Sequence, residues 1–223
     1  RDDETLAYHL SELFPEVNFE TFAWPGDDLD RVERSIMALR FEPRPCAVIY
    51  IYNLNDIDGP SHLLPPPQLD FQNFTGAGYA DAVSTLPRWL SWSSAATSLV
   101  SLVRRASLSK ETVRRYIALY EDRRNPEGLT KLATRLRSMR EFVFSRGAEF
   151  EVAIYPLLHL DLLGNYPFEG SHREIKTRCE REGIPVYDGQ LMFQGEWQVA
   201  QYKVHPADYH PNGTAHRRFA RAL

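Results

Sequence analysis

The chain has 223 residues, 43% of them hydrophobic, and a formal net charge of −4. That length and apolar content suffice for one domain over residues 1–223, and the acidic balance offers no basic field to a polyanion, which argues against nucleic acid as a partner. No apolar run reaches the ~18 residues of a membrane-spanning helix, and Arg1 to Glu4 lack the character of a signal peptide.

From the N-terminus, Leu6, Leu10, Leu13 and Phe14 recur at helical spacing, predicting a helix over 4–14 that Pro15 stops. The alternation of Val17, Phe19 and Phe22 with polar residues predicts a short strand over 17–22. Leu29, Val32, Ile36 and Leu39 predict a second helix, capped by Asp27 or Asp28. The continuous apolar run Cys46 to Tyr52 then reads as a strand buried on both faces at the centre of a sheet.

Residues 58–78 are rich in Pro and Gly, with Pro65, Pro66 and Pro67 too stiff for a helix or inner strand, so a long loop is expected. Helices follow over 89–105, 109–122 with Ser109 as cap, and 126–146 with Gly147 as the stop. The stripe Trp89, Trp92, Leu99 and Leu102 reads as core packing more readily than as a ligand grip. Phe150 to Tyr155 predicts a strand closed by Pro156, followed by a loop carrying His159, Asp161 and Gly164. Ser171 with Glu174 reads as a capping box for a helix ending at Gly183, Ile184 to Tyr187 as a strand, and 211–223 as a terminal helix. Strands alternating with helices imply a parallel sheet covered on both faces, with ligand sites beyond the strand carboxyl ends.

Cys46 and Cys179 are two isolated cysteines, read as small core residues. Asn73 and Asn212 begin glycosylation-type triplets, which matter only in a secreted eukaryotic protein.

Chemistry-bearing residues gather where strands end. His210, with Asp208 two residues before it, supplies a general base and a carboxylate to orient it. Asn55 can donate a side-chain amide hydrogen bond, and Gly26 a backbone N–H, to a developing oxyanion. Three segments carry these groups in order: Trp24-Pro25-Gly26-Asp27, Asn53-Leu54-Asn55-Asp56, and the stretch from Asp208 through His210, Pro211, Asn212 and Gly213 to His216.

In these blocks the chain resembles the SGNH, or GDSL-like, hydrolases, whose sequence blocks contribute Ser, Gly, Asn and His in that order. The resemblance implies a flavodoxin-like three-layer α/β/α fold with a parallel sheet, here lacking its first strand, and a loop and helical insertion at 58–147. It implies an ester hydrolase with His210 and Asp208 as catalytic residues and Gly26 and Asn55 in the oxyanion hole. No metal or organic cofactor is implied, and the expected partner is a small acylated substrate. Asn53 stands where the family usually has Gly, Asp208 lies two rather than three residues before His210, and no Gly-Asp-Ser-like block precedes a helix. The nucleophilic serine is therefore expected upstream of residue 1, and this stretch alone is expected to form no acyl-enzyme. Ser61, Ser84 and Ser171 lack the turn that would present a nucleophile.

Two other readings compete. His205, Asp208, His210 and His216 are zinc-type ligands close in sequence, although Pro206 and Pro211 make a shared geometry awkward. The alternative is a non-catalytic module that keeps the hydrolase fold and its pocket without the chemistry.

Overall fold

A computed structural model describes residues 5–22, 28–42, 45–60, 63, 113–158, 166–195, 199–205 and 208–223, with only the backbone path for His205, Asp208 and Tyr209. Gly26, the expected helix over 89–105 with its Trp stripe, Ser61, Ser84, Ser109, Asn73, and the loop residues His159, Asp161 and Gly164 lie outside the described residues.

Three strands, β1 (Ala47–Tyr52), β2 (Glu149–Ile154) and β3 (Val186–Asp188), form a parallel sheet in the order β1-β2-β3. Ala47 pairs with Glu149 and Tyr52 with Ile154, while Val152 to Ile154 pair with Val186 to Asp188. The protein is thus of mixed α/β class with a parallel sheet, as expected. Among the described residues the central strand is β2, not β1: Val152, Ala153 and Ile154 are wholly buried, whereas Val48, Ile49 and Ile51 keep some exposure. Among the described residues β1 pairs on one side only, which explains why its apolar run is less buried than its composition predicts.

Alternate residues of each strand enter two separate cores. Val48, Tyr50, Tyr52, Phe150, Val152 and Ile154 join one core with helices α2 (Leu29–Met37), α3 (113–119), α4 (Pro126–Ser145) and α5 (Glu169–Arg181). Ile49, Ile51, Ala153 and Tyr155 join the other with α1 (Leu6–Leu13) and α6 (Gly213–Ala220). This period of two is the pleat itself, and it places helices on both faces of the sheet.

Local chemistry sets the element ends. Thr5 caps α1 by accepting from the Tyr8 N–H, Asp28 caps α2 through the Arg31 N–H, and Asn125 caps α4 through the Gly128 N–H, just ahead of Pro126. Gly147, at φ 76°, ends α4 in the left-handed conformation that suits glycine. Gly189 answers a different need: a Cβ there would lie 2.2 Å from the Phe219 ring and 2.8 Å from the Ile154 carbonyl oxygen, so only glycine lets α6 pack against the end of β2.

Several expectations are corrected. Residues 17–22 form no strand, and Phe22 is 61% exposed; no described strand offers them a ladder, and extended backbone gains little without one. In α1, Leu10 is buried, but Leu13 and Phe14 are exposed and His9 takes an inner position instead. The expected capping box is absent, because α5 starts two residues before Ser171, with Phe168 at its cap position and no side-chain cap bond. Ser171 therefore sits buried within the first turn, its hydroxyl unpaired, and Glu174 bonds Arg178 instead. Residues 203–211, for which no strand is expected, form an antiparallel hairpin, β4 (Lys203–His205) and β5 (Asp208–Pro211). Cys46 is exposed rather than core, while Cys179 is buried and its thiol is pushed up to about 12 by burial.

Candidate functional site

At the carboxyl end of β1 the chain turns through Asn53 to Asp56. The Asp56 backbone N–H donates to the Asn53 carbonyl, while the buried Asp56 carboxylate accepts from the Asn53 N–H at 3.0 Å and the Tyr50 hydroxyl at 2.7 Å. Leu54 is fully buried, and its carbonyl oxygen accepts from the Tyr120 hydroxyl, which also meets the Tyr52 hydroxyl at 2.7 Å. Burial pushes both of these phenols far above their ordinary range, so they serve here as neutral hydrogen-bonding groups. Alternate residues of the turn are thus pulled inward, and Asn55 between them is left exposed. A buried carboxylate with two donors holds its loop far more firmly than a surface turn would.

His210 lies on β5, exposed, just before the Asn212 cap of α6. The Asn212 side chain is fully engaged: its oxygen accepts from the Ala215 N–H and its amide donates to the carbonyls of Gln201 and Lys203. That arrangement fastens the hairpin to the start of α6, and it removes the free amide that a glycosylated asparagine would need. The hairpin fixes the backbone of Asp208 two residues from His210, on the same strand. Of the predicted site, Asn55 and His210 are placed at the surface without a bond between them, Asp208 is placed by its backbone alone, and Gly26 lies outside the described residues.

A second His–Asp pair, unread in the sequence, is built where β2 and β3 end. His172, in the first turn of α5 and fully buried, meets Asp188 at 2.7 Å through Nδ1 and the Tyr166 hydroxyl at 2.9 Å through Nε2. Tyr166 accepts from the Leu157 N–H at 3.0 Å, and Asp188 accepts from the Gln190 N–H at 3.0 Å. Burial alone would raise the Asp188 carboxyl, but the His172 hydrogen bond and charge, with the Gln190 N–H, hold it below the ordinary carboxylate range. The order Tyr–His–Asp has the connectivity of a catalytic triad. Its tyrosine does not suit a nucleophile, because burial pushes the phenol well up and its oxygen already accepts a backbone N–H. The trio is a structural relay that stitches the ends of β2 and β3 to the start of α5. Its signal in the sequence is weak, since the three residues are separated by 6 and 16 positions and none follows a recognisable spacing.

His216, named above among the zinc-type residues, is half-buried in α6 with its Nδ1 enclosed. Among the described residues no group of three His, Cys, Asp or Glu side chains could hold a metal ion, and no helix is long and apolar enough to cross a membrane. An open groove of about 610 Å³ lies between α2 and α4, lined by Glu33, Glu127, Thr130, Lys131, Thr134 and Arg135. Lys131 pairs with Asp30 and Asp58, and Arg135 with Asp30 and Glu33, ion pairs that tie the segment after β1 to the helix layer. Comparison with family models, with curated proteins and with solved structures returns no match for this chain.

Proposed function

We propose that the chain is the greater part of an SGNH-type hydrolase that cleaves ester bonds, with a flavodoxin-like sheet and the nucleophilic serine contributed from upstream of residue 1. The observation that carries this reading is the turn after β1. Asp56 and Leu54 are drawn inward and Asn55 is left outward at the carboxyl end of a parallel strand, the position at which open α/β sheets collect ligands. The exposed His210 on β5, with Asp208 on the same strand, adds the base and its orienting carboxylate.

In this reading His210 takes the proton of the serine as the hydroxyl attacks the ester carbonyl, then returns it to the leaving alcohol. Asp208 orients the imidazole and stabilises its charged form. Gly26 N–H, the Asn55 amide and the serine's own N–H would share the oxyanion, and water would release the acid from the acyl-serine. The substrate is a small acylated molecule such as an acyl sugar or a lipid.

The test treats the full-length protein with a fluorophosphonate probe and locates the labelled peptide by mass spectrometry. A labelled serine upstream of Arg1, with labelling lost in His210→Ala and reduced by about 10²- to 10³-fold in Asn55→Ala, is the expected result. A folded protein that takes no label overturns the hydrolase reading and leaves a binding module on the same fold.

A further inference from the structure

Helices α1 and α6 pack against one another on one face of the sheet, over the end of β2. Three polar atoms buried on this face have no hydrogen-bond partner: Nε2 of His9 on α1, Nδ1 of His216 on α6, and the hydroxyl of Tyr155 directly after β2. His9 is 1% exposed, and Tyr155 is 5% exposed. The His216 ring stands edge-on to the Tyr155 ring at 5.8 Å between centroids, and Tyr155 in turn lies against Phe219, 4.4 Å away. A helix seam of this kind would ordinarily be filled with aliphatic side chains, and each buried polar group left unpaired weakens it.

We propose that this seam is an acid-sensitive latch, in which His216 holds α6 against α1 while its ring is neutral and releases the helix when the ring takes up a proton. Several titratable groups lie on the elements packed against His216. From α1 it faces His9, whose Nδ1 is 3.2 Å from Glu12, a residue whose own side chain is half exposed. From the end of β2 it faces the uncharged Tyr155 hydroxyl, raised by burial. Its own helix carries Arg217 and Arg218, with Arg218 donating to the Met192 carbonyl and the Tyr202 hydroxyl. The hairpin packed beneath α6 carries Lys203, Asp208 and His210, of which the Asp208 side chain lies outside the described residues. Among the described residues no carboxylate bonds His216, so a proton on its Nδ1 would be enclosed near the His9 ring with no described group to accept it. Burial first, and the neighbouring His9 second, lower His216 to about 4, in keeping with this arrangement.

The sign follows from linkage. Unfolding or undocking restores an ordinary imidazole near 6.5, so the open form binds the extra proton and the latch is fully closed only above that value. Between pH 7.5 and pH 5 the opening equilibrium of α1 and α6 should rise about 30-fold, a figure set by the separation between about 4 and 6.5. The inference does not depend on the hydrolase reading.

Hydrogen exchange of the full-length protein, corrected for the intrinsic pH dependence of exchange, reads it directly. Protection in 6–13 and 213–220 should fall between pH 7.5 and pH 5 while that of 149–154 holds, and His216→Phe, which keeps an aromatic ring without the titration, should abolish the fall. Equal loss of protection in the central strand, or an unchanged acid response in His216→Phe, overturns the proposal. If the Phe variant does not fold, NMR titration of the His216 ring in the native protein decides, and a value at or above 6.5 overturns it.

Discussion

Among the described residues, two histidine environments stand on opposite sides of one design choice. His172 has both ring nitrogens occupied, by Asp188 and by Tyr166, and each of those partners is itself satisfied by a backbone N–H. In the seam between α1 and α6, His9 is paired on one nitrogen only and the buried Nδ1 of His216 has no partner. A completed buried network costs nothing further to keep and fixes one arrangement, whereas an incomplete one holds only under conditions in which its unpaired groups stay neutral. The comparison assigns rigidity to the ends of β2 and β3 and conditional stability to the first and last helices.

The largest expected effect is at the completed network. His172→Leu fits the volume but strands the Tyr166 hydroxyl and the partly buried Asp188, and should cost about 2–4 kcal/mol of stability in urea unfolding at pH 7. A loss under ~1 kcal/mol would mean that the relay is a passenger.

The two clusters should next separate by pH. Asp188 is lowered in the fold, so its contribution is complete above the unfolded carboxyl value near 3.9 and fades only as pH falls further. His216 is also lowered, from 6.5 to about 4, so its contribution is complete above 6.5 and drains away across that interval. Urea midpoints measured from pH 7 to pH 4.5 should therefore decline in the native chain and in His172→Leu, but stay nearly flat in His216→Phe. A flat native profile would erase the distinction between the clusters.

A smaller change probes the connection between α6 and its hairpin. Asn212→Ala removes one cap bond, one amide bond to the hairpin at Lys203 and one to Gln201 just before it, and should cost about 1–2 kcal/mol, with protection lost first in 203–211. The smallest perturbation is chemical: a thiol reagent should titrate Cys46 alone in the folded protein, and Cys179 only after denaturant exposes it. Two rapid thiols at neutral pH would show that the core around α5 opens readily.

Legibility differed in the same way across the molecule. The helix over 126–146 was readable within a residue, because Asn125, Pro126 and Gly147 act through their immediate neighbours. The capping box at Ser171 was misread, since Tyr166, Phe168 and His172 pack the start of α5 into the core and shift its first turn. Asn55 and His210 could be picked out by residue type and by their place at strand ends. That Asn55 faces outward depends on Tyr50 and Asp56 meeting beneath the turn, which a linear pattern does not encode.

What the sequence determined by itself was the alternation of strands and helices, the capped helix ends, and the choice of glycine where the backbone must turn left, since each arises from bonds and torsions within a few residues. Only the tertiary structure decided that β2 rather than β1 is paired on both sides among the described residues, that 17–22 forms no strand, and that His172 is completed while His216 is not. Strand partners, buried charge and the pairing of distant polar groups depend on which surfaces meet, and those meetings join residues as far apart as His9 and His216.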